Sequence, residues 1–258
     1  MKRRLRPRRR TAAILAAAAL TAGCSGLPPD GASPTAELMV FAAGSLRSVF
    51  TDLGAQLEDV EPGTSVRFNF AGSSDLVAQL TQGAPADLFA SADPQNMTRA
   101  VDAGLVDGEP VVFAANTLTI VTPPGNPKGV ASFADLAEPG TSVVVCAPQV
   151  PCGAAAEKLE QDTGVTLTPV SEESSVTDVL GKITSGQADA GLVYVTDARL
   201  AGDQVTEVSF PESAGARNSY PIAVLEAPDQ PELARQFVDL VTGPTGRRLL
   251  AEAGFAVP

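Results

Sequence analysis

The chain has 258 residues, no histidine and no tryptophan, 19% charged residues and a formal net charge of −12. The missing imidazoles remove Ser-His-Asp and Cys-His catalysis and leave too few ligands for a zinc site, and an acidic body does not hold nucleic acid through a basic face. Beyond the N-terminus no run approaches the ~20 apolar residues of a membrane span.

Lys2, Arg3, Arg4, Arg6, Arg8, Arg9 and Arg10 form a basic head, followed by a short Ala-rich apolar stretch over 11–20. Residues 1–23 read as an export signal rather than as part of the fold. Thr21-Ala22-Gly23-Cys24 reads as a lipobox, with Thr21 where Leu is usual. Cys24 is therefore expected to carry a lipid that anchors an exported protein to the outer face of the cell membrane; an ordinary secretory signal with a chance cysteine is the alternative. The arginine run leaves Sec and twin-arginine export both open. Residues 24–36, with Pro28, Pro29 and Pro34, suit a flexible tether. Removing the signal takes away seven of the 18 basic residues and leaves 11 against 30 acidic, a net of −19.

The remaining body alternates strand-like and helix-like patterns, which predicts an α/β protein. A compact apolar strand over 38–42 leads into a helix starting at Ser45, with Leu46, Val49, Phe50, Leu53 and Leu57 on one face. Val66, Phe68 and Phe70 alternate as a strand, and Ser73 or Ser74 then caps a helix carrying Leu76, Val77 and Leu80. A strand over 86–90 precedes a helix over 94–103 with proline in its first turn. Strands are expected at 117–122 and 142–147, with a short helix at 132–137 between them. Helices follow at 153–163 and 176–185 and a strand at 190–195. After an irregular stretch come a strand at 221–225 and helices at 231–241 and 245–253. The chain divides near Asn116 and again near Tyr220, giving one lobe of 37–115 plus 222–258, a second of 116–221, and a cleft between them where ligands of open α/β sheets bind.

Five segments concentrate neutral hydrogen-bond donors: Ala42 to Leu46, Ala71 to Asp75, Pro151 to Gly153, Ser174 to Val176, and Gly191 to Tyr194. The first four sit at helix starts, where unpaired N–H groups and the helix dipole favour an anion. Singly, Ser45 and Ser73 read as helix caps, Val176 as core and Tyr194 as a buried aromatic. Together they suggest a nest for one small, fully ionised oxyanion held without charged groups. Cys146 and Cys152, six apart in an oxidising compartment, favour a disulfide over two free thiols. Asp75 is the one nearby carboxylate able to accept a proton from a protonated anion such as phosphate.

The ordered set Val40–Leu46 (VFAAGSL), Phe70–Leu76 (FAGSSDL), Gly83–Asp93 (GAPADLFASAD), Gly191–Tyr194 (GLVY), Tyr220–Val224 (YPIAV) and Gly243–Gly246 (GPTG) resembles the molybdate-binding component of bacterial ABC importers. The resemblance implies the two-lobed type II periplasmic-binding-protein fold, each lobe a mixed sheet flanked by helices, with two hinge crossings. It also implies a monomer that is not an enzyme, takes no cofactor, and delivers molybdate, and with it tungstate, to a permease driven by a separate ATPase. Carried over by motif, Ser45, Ser73 and Tyr194 give hydroxyl donors, and Cys152 and Val176 give backbone N–H groups, so the metal is met only through its oxygens. Cys152 stands where the family has a small residue. The competing readings are a sulfate, phosphate or ferric-iron receptor, the last disfavoured by having only Tyr194 and Tyr220 as phenols, and a lipid-anchored hydrolase using a carboxylate pair.

Overall fold

The computed structural model describes residues 36–258. The expected signal peptide, Cys24 and all but the last residue of the expected tether lie outside the described residues. Among the described residues no helix is long and apolar enough to cross a membrane.

The strands in chain order are β1 (Ala36–Ala43), β2 (Thr64–Ala71), β3 (Leu88–Ala90), β4 (Val106–Asn116), β5 (Leu118–Thr122), β6 (Val143–Cys146), β7 (Ser171–Glu173), β8 (Ala190–Tyr194), β9 (Thr206–Val208) and β10 (Asn218–Leu225). They form two five-stranded sheets, ordered β2-β1-β3-β10-β4 and β7-β6-β8-β5-β9. Both are mixed: β1 runs parallel to β2 and β3 while β10 runs antiparallel to β3 and β4, and β6 runs parallel to β7 and β8 while β5 runs antiparallel to β8 and β9. The central strands β3, β5, β6 and β8 are buried along their whole length, which is why they are largely apolar rather than alternating, with Thr119 and Thr122 of β5 the buried polar exceptions.

Helices flank each sheet. In the first, α1 (Arg47–Val60) buries Val49, Phe50, Leu53 and Leu57 on the stripe expected of them. Phe50 meets Phe237 of α7 (Pro231–Thr242) edge to face, with centroids 5.4 Å apart. The opposite face packs Leu76, Val77 and Leu80 of α2 (Ser73–Thr81) with Met97 and Ala100 of α3 (Pro94–Asp102). In the second, α4 (Pro151–Thr163), α5 (Val176–Thr184) and α6 (Val195–Ala201) enclose one core with β5, β6 and β8. The last helix, α8 (Pro244–Ala253), packs on α7 in the first.

The chain passes from the first sheet to the second between Asn116 and Leu118 and returns between Val208 and Asn218. The two strands that bracket these passages are neighbours, with Asn218 paired to Asn116 and Tyr220 to Ala114.

Several boundaries differ from expectation. The first helix does not begin at Ser45: residues Gly44–Leu46 form a 3-10 turn and the α-helix starts at Arg47. Neither Ser73 nor Ser74 caps α2; Gly72 holds the cap position and no side chain caps it. The segment at 132–137 contains only a 3-10 turn, Ala134–Ala137. The strand expected at 221–225 begins three residues earlier, and β4, β7, α6 and β9 had no expectation attached. In β4, Gly108 and Pro110 interrupt the pattern and Val111 and Val112 are exposed on the sheet's outer strand.

Candidate functional site

The loops that follow β1, β2 and β3 face those that follow β6 and β7 and the end of β8, so the carboxyl ends of the parallel strands of both sheets meet at one small cavity. From the first sheet come Gly44, Ser45, Gly72, Ser73 and Ala92; from the second come Val150, Cys152, Ser175, Val176 and Tyr194. The space open to the centre of a water-sized sphere is about 10 Å³, which is room for a guest of very few atoms. None of the described residues lining it is charged. All five residues singled out from the sequence, Ser45, Ser73, Cys152, Val176 and Tyr194, are brought to this cavity from positions spread over 150 residues of chain.

Three of them present a backbone N–H at a helix start for a local reason. Ser73 is the first residue of α2, and Val176 the first of α5, so their N–H groups have no partner inside their helices. Pro151 opens α4 and has no N–H, so the first free N–H of that helix belongs to Cys152. Ser175 caps α5, accepting the Asp178 N–H at 3.2 Å and donating to the Asp178 carboxylate at 2.7 Å, which fixes the turn that presents Val176. Cys146 and Cys152 are joined as a disulfide with Cα atoms 5.6 Å apart, tying the end of β6 to the first turn of α4.

The three hydroxyls are each engaged by another protein group. Ser45 Oγ lies 3.0 Å from Tyr220 Oη, Ser73 Oγ accepts the Ala92 N–H at 3.0 Å, and Tyr194 Oη accepts an Asn218 amide N–H at 2.7 Å. Burial pushes the phenols of Tyr194 and Tyr220 up from their ordinary range, so both stay protonated and able to donate. Asp197, in the first turn of α6, accepts the Tyr194 N–H at 3.2 Å, and burial pushes its carboxyl up to about 7. Asp93 caps α3 beside Ala92; burial raises its carboxyl, against the opposing hydrogen bonds from Asn96 and Ser91.

Close approach between the two halves depends on two glycines. A Cβ at Gly72 would stand 2.2 Å from the carbonyl oxygen of Ser174, and one at Gly44 would stand 2.9 Å from Thr177 Oγ1. Asp75 is exposed and lines, with Arg47 and Asp178, an adjoining groove that shares Gly44, Gly72 and Ser175 with the cavity, while the Arg47 guanidinium lies over the Phe70 ring, 4.6 Å from its centroid. The carboxylate acceptor that a protonated anion needs is therefore not among the residues lining the cavity. Sequence reasoning attached no role to Ala92, Val150 or Asn218, and it read Tyr220 as a motif residue, a phenol and the second lobe crossing, not as the partner of Ser45. Their contribution depends on long-range contacts that no local pattern signals.

A family profile described as bacterial extracellular solute-binding protein matches residues 38–256. The chain is 54% identical over 249 residues to the molybdate-binding protein ModA of Mycobacterium tuberculosis strain H37Rv, a match covering 95% of each chain. Among solved structures, the periplasmic molybdate-binding protein of Azotobacter vinelandii aligns with a TM-score of 0.74 at 22% identity, over 86% of this chain and 99% of that one. The sulfate-binding protein SubI of Mycobacterium tuberculosis H37Rv aligns with a TM-score of 0.71 at 22% identity, over 85% and 86%. These two likenesses show the two-lobed α/β fold of periplasmic binding proteins. Proteins described for two different tetrahedral anions share it, so the fold by itself does not choose between them.

Proposed function

We propose, for a chain that belongs to the molybdate-binding family of bacterial extracellular solute-binding proteins, that it captures molybdate outside the cytoplasm and hands it to the permease of an ABC importer. Five donor residues converge from both sheets on one cavity whose lining carries no charge, and that observation carries the reading. Molybdate, tungstate and sulfate are dianions near neutral pH that only accept hydrogen bonds, so a donor-only nest suits them. Ser45, Ser73 and Tyr194 donate O–H groups, and Cys152 and Val176 donate N–H groups. A hydrogen bond to a charged acceptor contributes about 1.5–3 kcal/mol, and five or more offset much of the dehydration of the anion.

Capture proceeds by closure. The two lobes, one built on each sheet, rotate about the paired passages between Asn116 and Leu118 and between Val208 and Asn218 and seal the anion away from water. Tungstate, with the same charge and shape, is a second ligand. The protein performs no chemistry on its cargo, acts as a monomer, and stays at the outer face of the membrane through a lipid on Cys24. A separate ATPase drives the permease.

Calorimetric titration of the delipidated protein with molybdate, tungstate, sulfate and phosphate tests the reading. Tight 1:1 heats with molybdate and tungstate and none with phosphate support it. Binding of sulfate in preference to molybdate reassigns the cargo, and no binding of any oxyanion removes the function.

A further inference from the structure

The cavity hydroxyls are ambiguous groups, since a serine or tyrosine O–H both donates and accepts. Two of the three have that ambiguity reduced by a neighbour that can only donate to them. Ser73 Oγ accepts from the Ala92 backbone N–H, so its own proton is free to point elsewhere. Tyr194 Oη is 2.7 Å from the Asn218 side-chain amide, whose same atom is 3.0 Å from the carbonyl oxygen of Pro151. A carbonyl only accepts, so the Asn218 atom between the two must be the NH₂ nitrogen and not the amide oxygen. Tyr194 Oη must then accept from it. The third hydroxyl, Ser45, meets Tyr220 Oη at 3.0 Å, and Tyr220 is fully buried two residues along the same strand, β10.

We propose that Asn218 is a positioning residue that fixes the direction of the Tyr194 proton, so that the hydroxyl faces the cavity as a donor only and the site rejects oxyanions that still carry a proton. Asn218 also grips Pro151, the residue before Cys152, and so holds two donors of the second sheet from a strand of the first. The Ser45–Tyr220 pair has no such directing group, since either hydroxyl can give the proton. The inference rests on the oxyanion reading of the cavity and adds the origin of its selectivity.

The test compares Asn218→Asp and Asn218→Leu with the parent protein at pH 8, titrating molybdate and competing it with inorganic phosphate. At that pH both anions carry two negative charges, so a simple change in field weakens both alike, whereas proton direction separates them. The carboxylate of Asn218→Asp accepts the Tyr194 proton and turns the hydroxyl's lone pairs to the cavity. Molybdate affinity is expected to fall about 10- to 100-fold, and the preference for molybdate over hydrogen phosphate to fall at least about tenfold. Asn218→Leu leaves the proton undirected and lowers the preference by a smaller factor, which decides the matter should the aspartate variant fail to fold. An unchanged preference in folded variants, including phosphate failing to compete with any of them, overturns the role of Asn218. A parent protein that binds neither anion instead overturns the oxyanion reading beneath it.

Discussion

Ser45 and Ser73 stand at helix starts, where serine ordinarily caps, yet neither does so here. Each is instead held from the side, Ser45 by Tyr220 and Ser73 by the Ala92 N–H. The two alanine variants therefore differ in cost. Both remove one charge-assisted hydrogen bond and are expected to weaken molybdate binding by about 1–3 kcal/mol, read by calorimetry. Only Ser73→Ala strands a buried backbone N–H, so it alone is expected to lower the melting temperature of the empty protein appreciably. Asp197 gives a prediction of a different kind. Its carboxyl is raised by burial from 3.8 to about 7, so its stabilising, protonated form is fully present below 3.8 and is lost as pH rises through 7. Between those values the folded state binds more protons than the unfolded chain, and stability falls by about 1.4 kcal/mol per pH unit from this group. Asp197→Asn, which keeps an acceptor for the Tyr194 N–H, removes that slope. The gap in melting temperature between variant and parent is expected to widen from about pH 4 to about pH 7 and then level off; a constant gap contradicts the buried, protonated carboxyl.

The elements meet at the site because two of their junctions lack a Cβ. Alanine at Gly72 would push a methyl carbon to within 2.2 Å of the Ser174 carbonyl, a backbone atom that cannot swing aside. Gly72→Ala is expected to leave each sheet folded and to hold the halves apart, so molybdate binding falls by at least about 2 kcal/mol while far-UV circular dichroism is unchanged. Most of these elements were legible in advance. Val49, Phe50, Leu53 and Leu57 announce α1 by spacing, and the largely apolar runs of β5, β6 and β8 announce buried strands. What escaped was structure stabilised from elsewhere. The first half of β10, Asn218-Ser219-Tyr220, is polar and looks like loop, but it pairs with β4 across its register. The strand β7, Ser171–Glu173, is three polar residues held by β6. The five donor positions were readable because Gly, Ser and Pro punctuate helix starts locally, whereas Asn218 reaches Tyr194 across 24 residues and carries no local mark.

Across the whole molecule, charge and site pull in opposite directions. Without residues 1–23 the chain carries −19, yet its expected cargo is a dianion and its cavity lining is neutral. Affinity then comes from short-range hydrogen bonds, which mobile ions screen little once the halves have closed, while the approach of the anion runs against the field of the body. Salt acts on that field alone. Between about 0.01 M and 0.15 M ionic strength the screening length shrinks from ~30 Å to ~8 Å, so the repulsion is confined close to the surface. The association rate for molybdate, followed by stopped-flow fluorescence of the tyrosines, is therefore expected to rise a few-fold over that range, with the dissociation rate nearly constant. This is the reverse of a receptor that gathers its anion with lysines and arginines, where added salt slows capture. An association rate that falls with salt requires a positive field at the entrance. The one cation of the neighbouring groove, Arg47, is placed over Phe70 with Asp75 and Asp178 beside it, an arrangement that offers the incoming dianion little net attraction.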